Sequence, residues 1–519
     1  MNRLCCAAFV LLSTCVAVQW AEKKRYDGYQ LLTLFPKDQR QLSFLKAAAE
    51  GDDFDLDFWL GPTSVGSQVD VMVPPEGLDA FKRLLSANDF AVTVKMGDVE
   101  KKIEDEEMRN RIPVRQGVHY QPAFKVNRFN KLGEINARLY ELQSKYRNLV
   151  SVSSIGRTHE GRDILMASIG SARGSGTKPG VYIDGGIHAR EWISPAVVTY
   201  FIDTLVTRYH KDDAIKALVD SVDWYIVPVL NPDGYEYSHS TDRMWRKNRA
   251  PCTGGSSGFR PFGGARARCC RGVDLNRNFD WAWASVGSSS DPCRDVYHGR
   301  RAFSEPESAA VRDFVMARRQ KIKAFLTFHA YSQMWLLPFG DRQRKYPADY
   351  RSKLQPVAKK AVSALQRMYG KGYQVGTGAD LMYSAAGGSE DWAKGKAGIE
   401  YAYLIELRPQ GSLWSNGFLL PESEIMPSAK ETFEAVKVIA GQLMQQYPVS
   451  TRRERPQRPD DSKEVVVTSV PARPRPRPIE IKRPEPDDCG DKSRLCSFYT
   501  IYRPCDALRE LCEKTCEFC

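Results

Sequence analysis

Beyond residue 18 the chain has no apolar run long enough to cross a bilayer, which takes about 20 predominantly apolar residues. No membrane span is therefore expected in the body of the protein. No Asn-x-Ser/Thr triplet occurs in the 519 residues, so N-glycosylation is not expected. Histidine is scarce, at seven residues, and any imidazole-based site must draw on these few. No basic stripe dominates either. The formal charge of +12 arises from 75 Lys and Arg set against 63 Asp and Glu along the same segments, which argues against a nucleic-acid partner.

The opening residues are the exception to the missing apolar runs. Arg3, the run Leu4 to Val18 and the small residues after it read as a secretory leader over 1–21, with Ala17 and Ala21 both candidate cut positions. Removing it also removes Cys5, Cys6 and Cys15, and the cysteines left are even in number. Cys252, Cys269, Cys270 and Cys293 lie mid-chain, and Cys489, Cys496, Cys505, Cys512, Cys516 and Cys519 crowd the end. In an oxidising compartment this count argues for disulfides and a secreted, extracellular protein.

The length exceeds what one core supports, so about two to four domains are expected. Residues 22–111 form a first unit. Strands are expected over 30–35, 54–59, 68–73 and 90–96, with helices over 38–49, capped by Asp38, and 76–87, opened by Pro75. This βαβ–βαβ order gives a small sheet covered on one face by two helices. An acidic, helix-prone stretch at 104–107 follows, then Arg109, Arg111 and Arg115, a polar connection open to a trypsin-like protease. From 118 to 447, apolar runs at 181–183, 224–230, 325–328 and 401–407 alternate with amphipathic stretches such as 304–319 and 352–368. That alternation indicates an α/β fold with a mixed, mostly parallel twisted sheet and helices on both faces. Residues 448–488, with Pro471-Ala-Arg-Pro-Arg-Pro-Arg-Pro478, read as an extended linker, and 489–519 is too short to fold without staples.

Chemistry concentrates at the ends of the apolar runs. Asp184-Gly-Gly-Ile-His188-Ala-Arg190-Glu191-Trp192 places an imidazole and a carboxylate three apart where a strand should stop. Both are usual zinc ligands, and in such sheets ligands bind beyond the carboxyl ends of strands. His329 ends Phe325-Leu-Thr-Phe328 in the same way, whereas His119, His159, His210, His239 and His298 lie in polar or connecting segments. Glu406 stands inside the apolar run 401–407, where a carboxylate needs either a partner such as Arg408 or a proton-transfer task. Arg246, in Trp245-Arg246-Lys247, and Asn276-Arg277 are candidate anion binders, since a guanidinium fork matches a carboxylate. Asp274 is placed to orient an imidazole ligand from behind.

With Asn231-Pro-Asp-Gly234, His329-Ala-Tyr331-Ser-Gln333, Tyr383-Ser-Ala-Ala-Gly-Gly-Ser389 and Glu406-Leu-Arg408, these motifs resemble a zinc metallocarboxypeptidase of the carboxypeptidase A/B group over about residues 120–447. The leading unit is similar to that family's inhibitory prosegment. The resemblance implies a carboxypeptidase-like fold and one zinc ion held by His188, Glu191 and His329. It implies Glu406 as the base for a zinc-activated water and Arg246 as an oxyanion partner. Asn276, Arg277 and Tyr383 would hold a substrate's C-terminal carboxylate, with Arg190, Tyr331 and Phe418 along the groove. Peptide or protein C-termini are the implied substrates, cut by a monomeric secreted enzyme made as a zymogen.

Glu390 falls at the family's specificity position and Gly378 at the roomier pocket wall of its basic-specific members. A buried carboxylate there attracts Lys or Arg, unless Lys394 or Lys396 neutralises it. An aromatic or aliphatic preference is the alternative, and a non-catalytic peptide-binding protein is a further one. The resemblance also implies a Cys270–Cys293 bridge, which leaves Cys252 and Cys269 for each other. The tail resembles the ShK-toxin-like (ShKT) module, implying Cys489–Cys519, Cys496–Cys512 and Cys505–Cys516. Asp506 and Ala507 replace the Lys-Tyr pair of its channel-blocking members, so docking, targeting or stabilisation is the expected role.

Overall fold

The computed structural model describes residues 23–51, 54–110, 124–172, 177–252, 269–412 and 415–449. The leader, Arg111 and Arg115, the linker beyond 449 and the cysteine-rich tail with its three pairs lie outside them. Among the described residues no helix is long and apolar enough to cross a membrane.

The leading unit follows the expected order. Strands β1 (Gln30–Leu34), β2 (Asp57–Leu60), β3 (Val69–Val73) and β4 (Thr93–Met96) form an antiparallel sheet in the order β2-β3-β1-β4. Helices α1 (Gln39–Glu50) and α2 (Pro75–Ala87) close its core of Leu32, Leu34, Leu45, Val69, Val71, Val73, Phe81, Leu85 and Phe90. Asp38 caps α1 by accepting from the Gln41 amide at 2.8 Å, and Pro75 opens α2, as the sequence indicates. Two strands start later than the alternation predicts. Asp55 and Asp89 adopt positive φ (50° and 58°), ending the extended run, and Phe54 packs on Phe81 instead. The acidic stretch is α3 (Val99–Asn110). It is more than a solvated connector, because Glu106 is buried against Arg243.

The main unit is built on eight strands, β5 (Val150–Arg157), β6 (Asp163–Ile169), β7 (Gly180–Gly185), β8 (Asp223–Val227), β9 (Ile322–Ala330), β10 (Met334–Leu337), β11 (Gln374–Thr377) and β12 (Tyr401–Leu407). Their order is β11-β10-β12-β9-β7-β8-β6-β5, with parallel pairing at β10–β11, β9–β12, β7–β9 and β7–β8 and antiparallel pairing at the remaining three contacts. Helices α4 (Leu132–Lys145), α5 (Ile193–Thr207), α6 (Asp213–Ser221), α7 (Pro232–Ser240), α8 (Pro306–Ala317), α9 (Gln355–Tyr369), α10 (Gly378–Leu381), α11 (Ser389–Gly395) and α12 (Ile425–Gln446) complete the fold. Successive strand residues feed opposite faces. Val181, Ile183, Leu326 and Ile405 pack with α5, α9 and α12, while Tyr182, Phe325 and Ala402 pack with α8 and α11. Burial on both faces is why β7, β9 and β12 read as unbroken apolar runs. These central strands end together, and the candidate site forms there.

Candidate functional site

Two glycines turn the chain out of β7. Gly186 has φ +65°, and a Cβ on it would lie 2.8 Å from the Pro195 ring, so α5 can seat directly on the strand end only with glycine there. Ser194 locks the turn, accepting from the Gly186 amide at 2.9 Å and donating to the Phe328 carbonyl at 2.6 Å. His188 and Glu191 are thereby held beside the end of β9, which carries His329, and β12 brings Glu406 into register with His329.

The three candidate ligands converge. His188 Nδ1 lies 2.8 Å from Glu191 Oε1 and 3.2 Å from His329 Nδ1, and His329 Nδ1 lies 3.3 Å from Glu191 Oε2. Two ligands about 2.0–2.1 Å from a tetrahedral zinc stand about 3.3–3.4 Å apart, so this buried trio fits zinc in donor type and spacing. Each outer ring nitrogen has its own acceptor. His188 Nε2 faces Asp274 Oδ1 at 3.0 Å, and His329 Nε2 faces Thr327 Oγ1 at 3.3 Å, which in turn donates to Asp184 at 2.7 Å. With those nitrogens protonated, both Nδ1 lone pairs point into the cluster. Burial works to raise the Glu191 pKa, but the two imidazoles outweigh it and hold the group below the usual carboxylate range. The Ala330 amide adds a hydrogen bond at 3.0 Å.

Asp274 does double duty. Its other oxygen accepts from Arg246 Nε and Nη2 at 3.1 and 2.9 Å, aligning that guanidinium beside the trio. Glu406 is buried, and its Oε2 has no hydrogen-bond partner among the described residues. Burial pushes its carboxyl up to about 8, with His329 pulling the other way. Arg408 does not neutralise it. Beyond the end of β12 that side chain turns to Glu431 and Glu424.

Arg277 points its Nη2 at the Tyr383 hydroxyl, 3.3 Å away, and Asn276 accepts from the Ser389 amide at 2.9 Å. Glu390, in the first turn of α11, is buried and its Oε2 is also unpartnered. It lies so close over Gly388 that a Cβ there would approach Oε2 to 2.9 Å. Burial raises its pKa, while a backbone hydrogen bond and the charges of His329 and Arg277 act in the opposite sense. Lys394 pairs with Asp349 and Lys396 with Asp280, so neither lysine reaches Glu390. Gly378 opens α10, with Gly340 and Leu336 no nearer than 3.8 Å to a Cβ position there. Both mid-chain disulfides, Cys270–Cys293 and Cys252–Cys269, are formed.

The leading unit covers this site. Asp57 accepts from Arg190 Nη1 at 2.7 Å, and Asp70 accepts from the Tyr331 hydroxyl at 3.0 Å. Trp59 packs on Phe418 at 5.1 Å between ring centres, and Phe418 also touches Tyr331 and Arg190. The sequence motifs assign no site role to Asp57, Trp59, Asp70, Asp184 or Thr327. Asp70 and Asp184 carry the signal that exposed Glu406, an acid inside an apolar strand; Asp57 and Trp59 carry none.

The sequence matches a family model described as zinc carboxypeptidase over residues 135–435 and one described as carboxypeptidase activation peptide over 32–106. It is 36% identical to zinc carboxypeptidase A 1 of Anopheles gambiae over 429 residues, 83% of this chain and 93% of that one. It is 43% identical to carboxypeptidase B of Astacus astacus over 319 residues, 62% of this chain and 98% of that one. Among solved structures, carboxypeptidase A from Helicoverpa armigera superposes with a TM-score of 0.71 at 29% identity, covering 82% of this chain and 99% of that one.

Proposed function

The chain belongs to the zinc carboxypeptidase family, as a metallocarboxypeptidase with an activation peptide and one zinc in its catalytic domain, and from that premise we propose that it is a secreted zymogen whose active form removes C-terminal Lys or Arg from peptides and proteins. The observation that carries the specificity is the buried Glu390 carboxylate, whose Oε2 has no hydrogen-bond partner among the described residues, with both neighbouring lysines engaged elsewhere.

In this reading His188, Glu191 and His329 hold the metal. Bound zinc supplies Lewis acidity, polarising a carbonyl oxygen and acidifying water. Glu406 takes a proton from the attacking water and returns it to the departing amine. Its orphaned Oε2 and its register with His329 support that task. Arg246, clamped by Asp274, faces the oxygen on which negative charge develops. Asn276, Arg277 and Tyr383 bind the free carboxylate of the substrate and restrict cleavage to the last peptide bond. Glu390 receives the basic side chain beside the open wall at Gly378, and Arg190, Tyr331 and Phe418 line the approach to the bond. The two disulfides and the leader pattern support secretion.

The prosegment acts as a plug. Asp57 occupies Arg190, Asp70 occupies Tyr331 and Trp59 fills the space over Phe418, while Glu106 on Arg243 anchors α3 behind them. Cleavage by a trypsin-like protease near Arg109, Arg111 or Arg115 frees the unit. The Asp57–Arg190 pair is part-buried and Arg190 keeps Asp295 at 3.7 Å, so losing Asp57 costs less than the roughly 3–5 kcal/mol of a fully buried pair. Asp57→Ala is therefore expected to raise hydrolysis of a short substrate by the uncleaved chain roughly tenfold. No change would mean that this pair does not hold the plug.

The overall reading is tested by treating the purified chain with trypsin and following release of C-terminal amino acids. Release is expected only after cleavage, and is expected to stop with a zinc chelator and return on adding zinc. Chelator-resistant release, or none after confirmed removal of the prosegment, contradicts it.

A further inference from the structure

A second cluster with metal-ligand chemistry lies away from the site just described. His159 follows β5, and Glu305 and Glu307 stand at the N-terminal end of α8, Glu305 as its N-cap residue. Donor atoms of the three lie within 4.8 Å of one another. His159 Nε2 is 2.9 Å from Glu305 Oε2. Glu305 is 5% exposed and Glu307 is fully buried, and a single neutral group, the Asn248 side-chain amide, donates to both, at 2.8 and 3.0 Å. Glu307 Oε1 has no hydrogen-bond partner among the described residues. Glu305 has further partners, the Ser304 hydroxyl donating to its Oε1 at 2.7 Å and the His159 ring. Glu307 is the under-compensated member, a fully buried carboxylate with an orphaned oxygen that requires a counter-charge or a proton.

We propose that His159, Glu305 and Glu307 form a second binding site for a divalent first-row transition-metal cation, separate from the catalytic zinc. One imidazole and two carboxylates form a donor set that suits zinc and its neighbours, whereas calcium and magnesium prefer oxygen alone. Glu307 Oε1 and Glu305 Oε2 supply the oxygens. The His159 side chain is 28% exposed and stands on the open side of the cluster. Access exists: His159 and Glu305 line a solvent-open cleft of about 390 Å³. The guanidiniums on the same cleft are engaged, Arg157 with Asp163, Arg312 with Asp313 and Arg301 with the Phe303 carbonyl, so they do not supply the missing counter-charge. Burial pushes the Glu307 carboxyl up to about 7, and hydrogen bonding to Glu305 raises the His159 pKa, so protons hold the places a cation takes.

The test uses the full chain carrying its catalytic zinc, dialysed against Zn²⁺ or Co²⁺ with metal content measured by mass spectrometry. Wild type is expected to take up a second equivalent. His159→Ala and Glu307→Gln are expected to lose that equivalent, keep the first, and lose the d–d absorption that Co²⁺ gives in wild type. Excess Ca²⁺ or Mg²⁺ is expected not to displace the metal. The proposal is overturned if wild type takes up no second equivalent, if His159→Ala retains it, or if Ca²⁺ displaces it. His159 sits at the cleft edge, so His159→Ala keeps the test decisive if Glu307→Gln does not fold.

Discussion

Glu406→Gln is expected to lower kcat by about 10²–10⁴-fold, the contribution of a positioned general acid–base, with KM and zinc content nearly unchanged. Glutamine keeps the volume of the side chain on β12 and leaves the trio of His188, Glu191 and His329 untouched, so the loss reports proton transfer and not binding. Among the described residues the wild-type carboxylate has no structural partner to lose. Its Oε2 is orphaned, and Arg408 is spent on Glu431 and Glu424. A variant that retains kcat within about tenfold of wild type would remove Glu406 from the mechanism, since that is less than the smallest acid–base contribution. Folded-state spectra and metal analysis on the same sample separate this outcome from a collapsed site.

The second large effect is expected at Glu390, the proposed pocket floor. Glu390→Ile is expected to invert selectivity, lowering kcat/KM for substrates ending in Arg and raising it for those ending in Phe. Removing one member of a buried charge pair costs roughly 2–5 kcal/mol, about 30-fold to several thousand-fold. The orphaned Oε2 makes the wild-type floor ready for a cation and hostile to an apolar ring, and isoleucine reverses both properties. A ratio that shifts less than about tenfold would mean that Glu390 does not contact the departing side chain. Lysines 394 and 396 are poor substitutes for such a partner, because each already holds an aspartate.

The candidate metal trio and the proposed base are legible in the sequence for one physical reason. His188, His329 and Glu406 are polar groups at or inside apolar strands, where burial without a task is costly. The same argument applied to Asp70 and Asp184 finds the residue that engages Tyr331 and the one that backs His329 through Thr327. The plug itself was not legible. Asp57 meets Arg190 across 133 positions, and Trp59 meets Phe418 across an even longer span, so neither leaves a local pattern. Strand order was equally hidden, since periodicity assigns faces and not neighbours. β10 lies antiparallel between β11 and β12 on the β12 side and parallel on the other, a choice made by the connections. His159 was set aside as part of a connecting segment, and only the fold brings Glu305 and Glu307 to it. Arg408, the alternative partner for Glu406, follows the end of β12 at Leu407, and its side chain turns toward Glu431 on α12 instead.

Basic specificity and exopeptidase action are both read from kcat/KM of the trypsin-activated enzyme on matched peptides ending in Arg, Lys, Phe and Leu, with C-terminally amidated controls. The expected result is rapid removal of Arg and Lys, slow removal of Phe and Leu, and none from the amides, because Arg277 then lacks its carboxylate. Faster removal of Phe or Leu, or cleavage of the amidated peptides at a similar rate, would contradict the account.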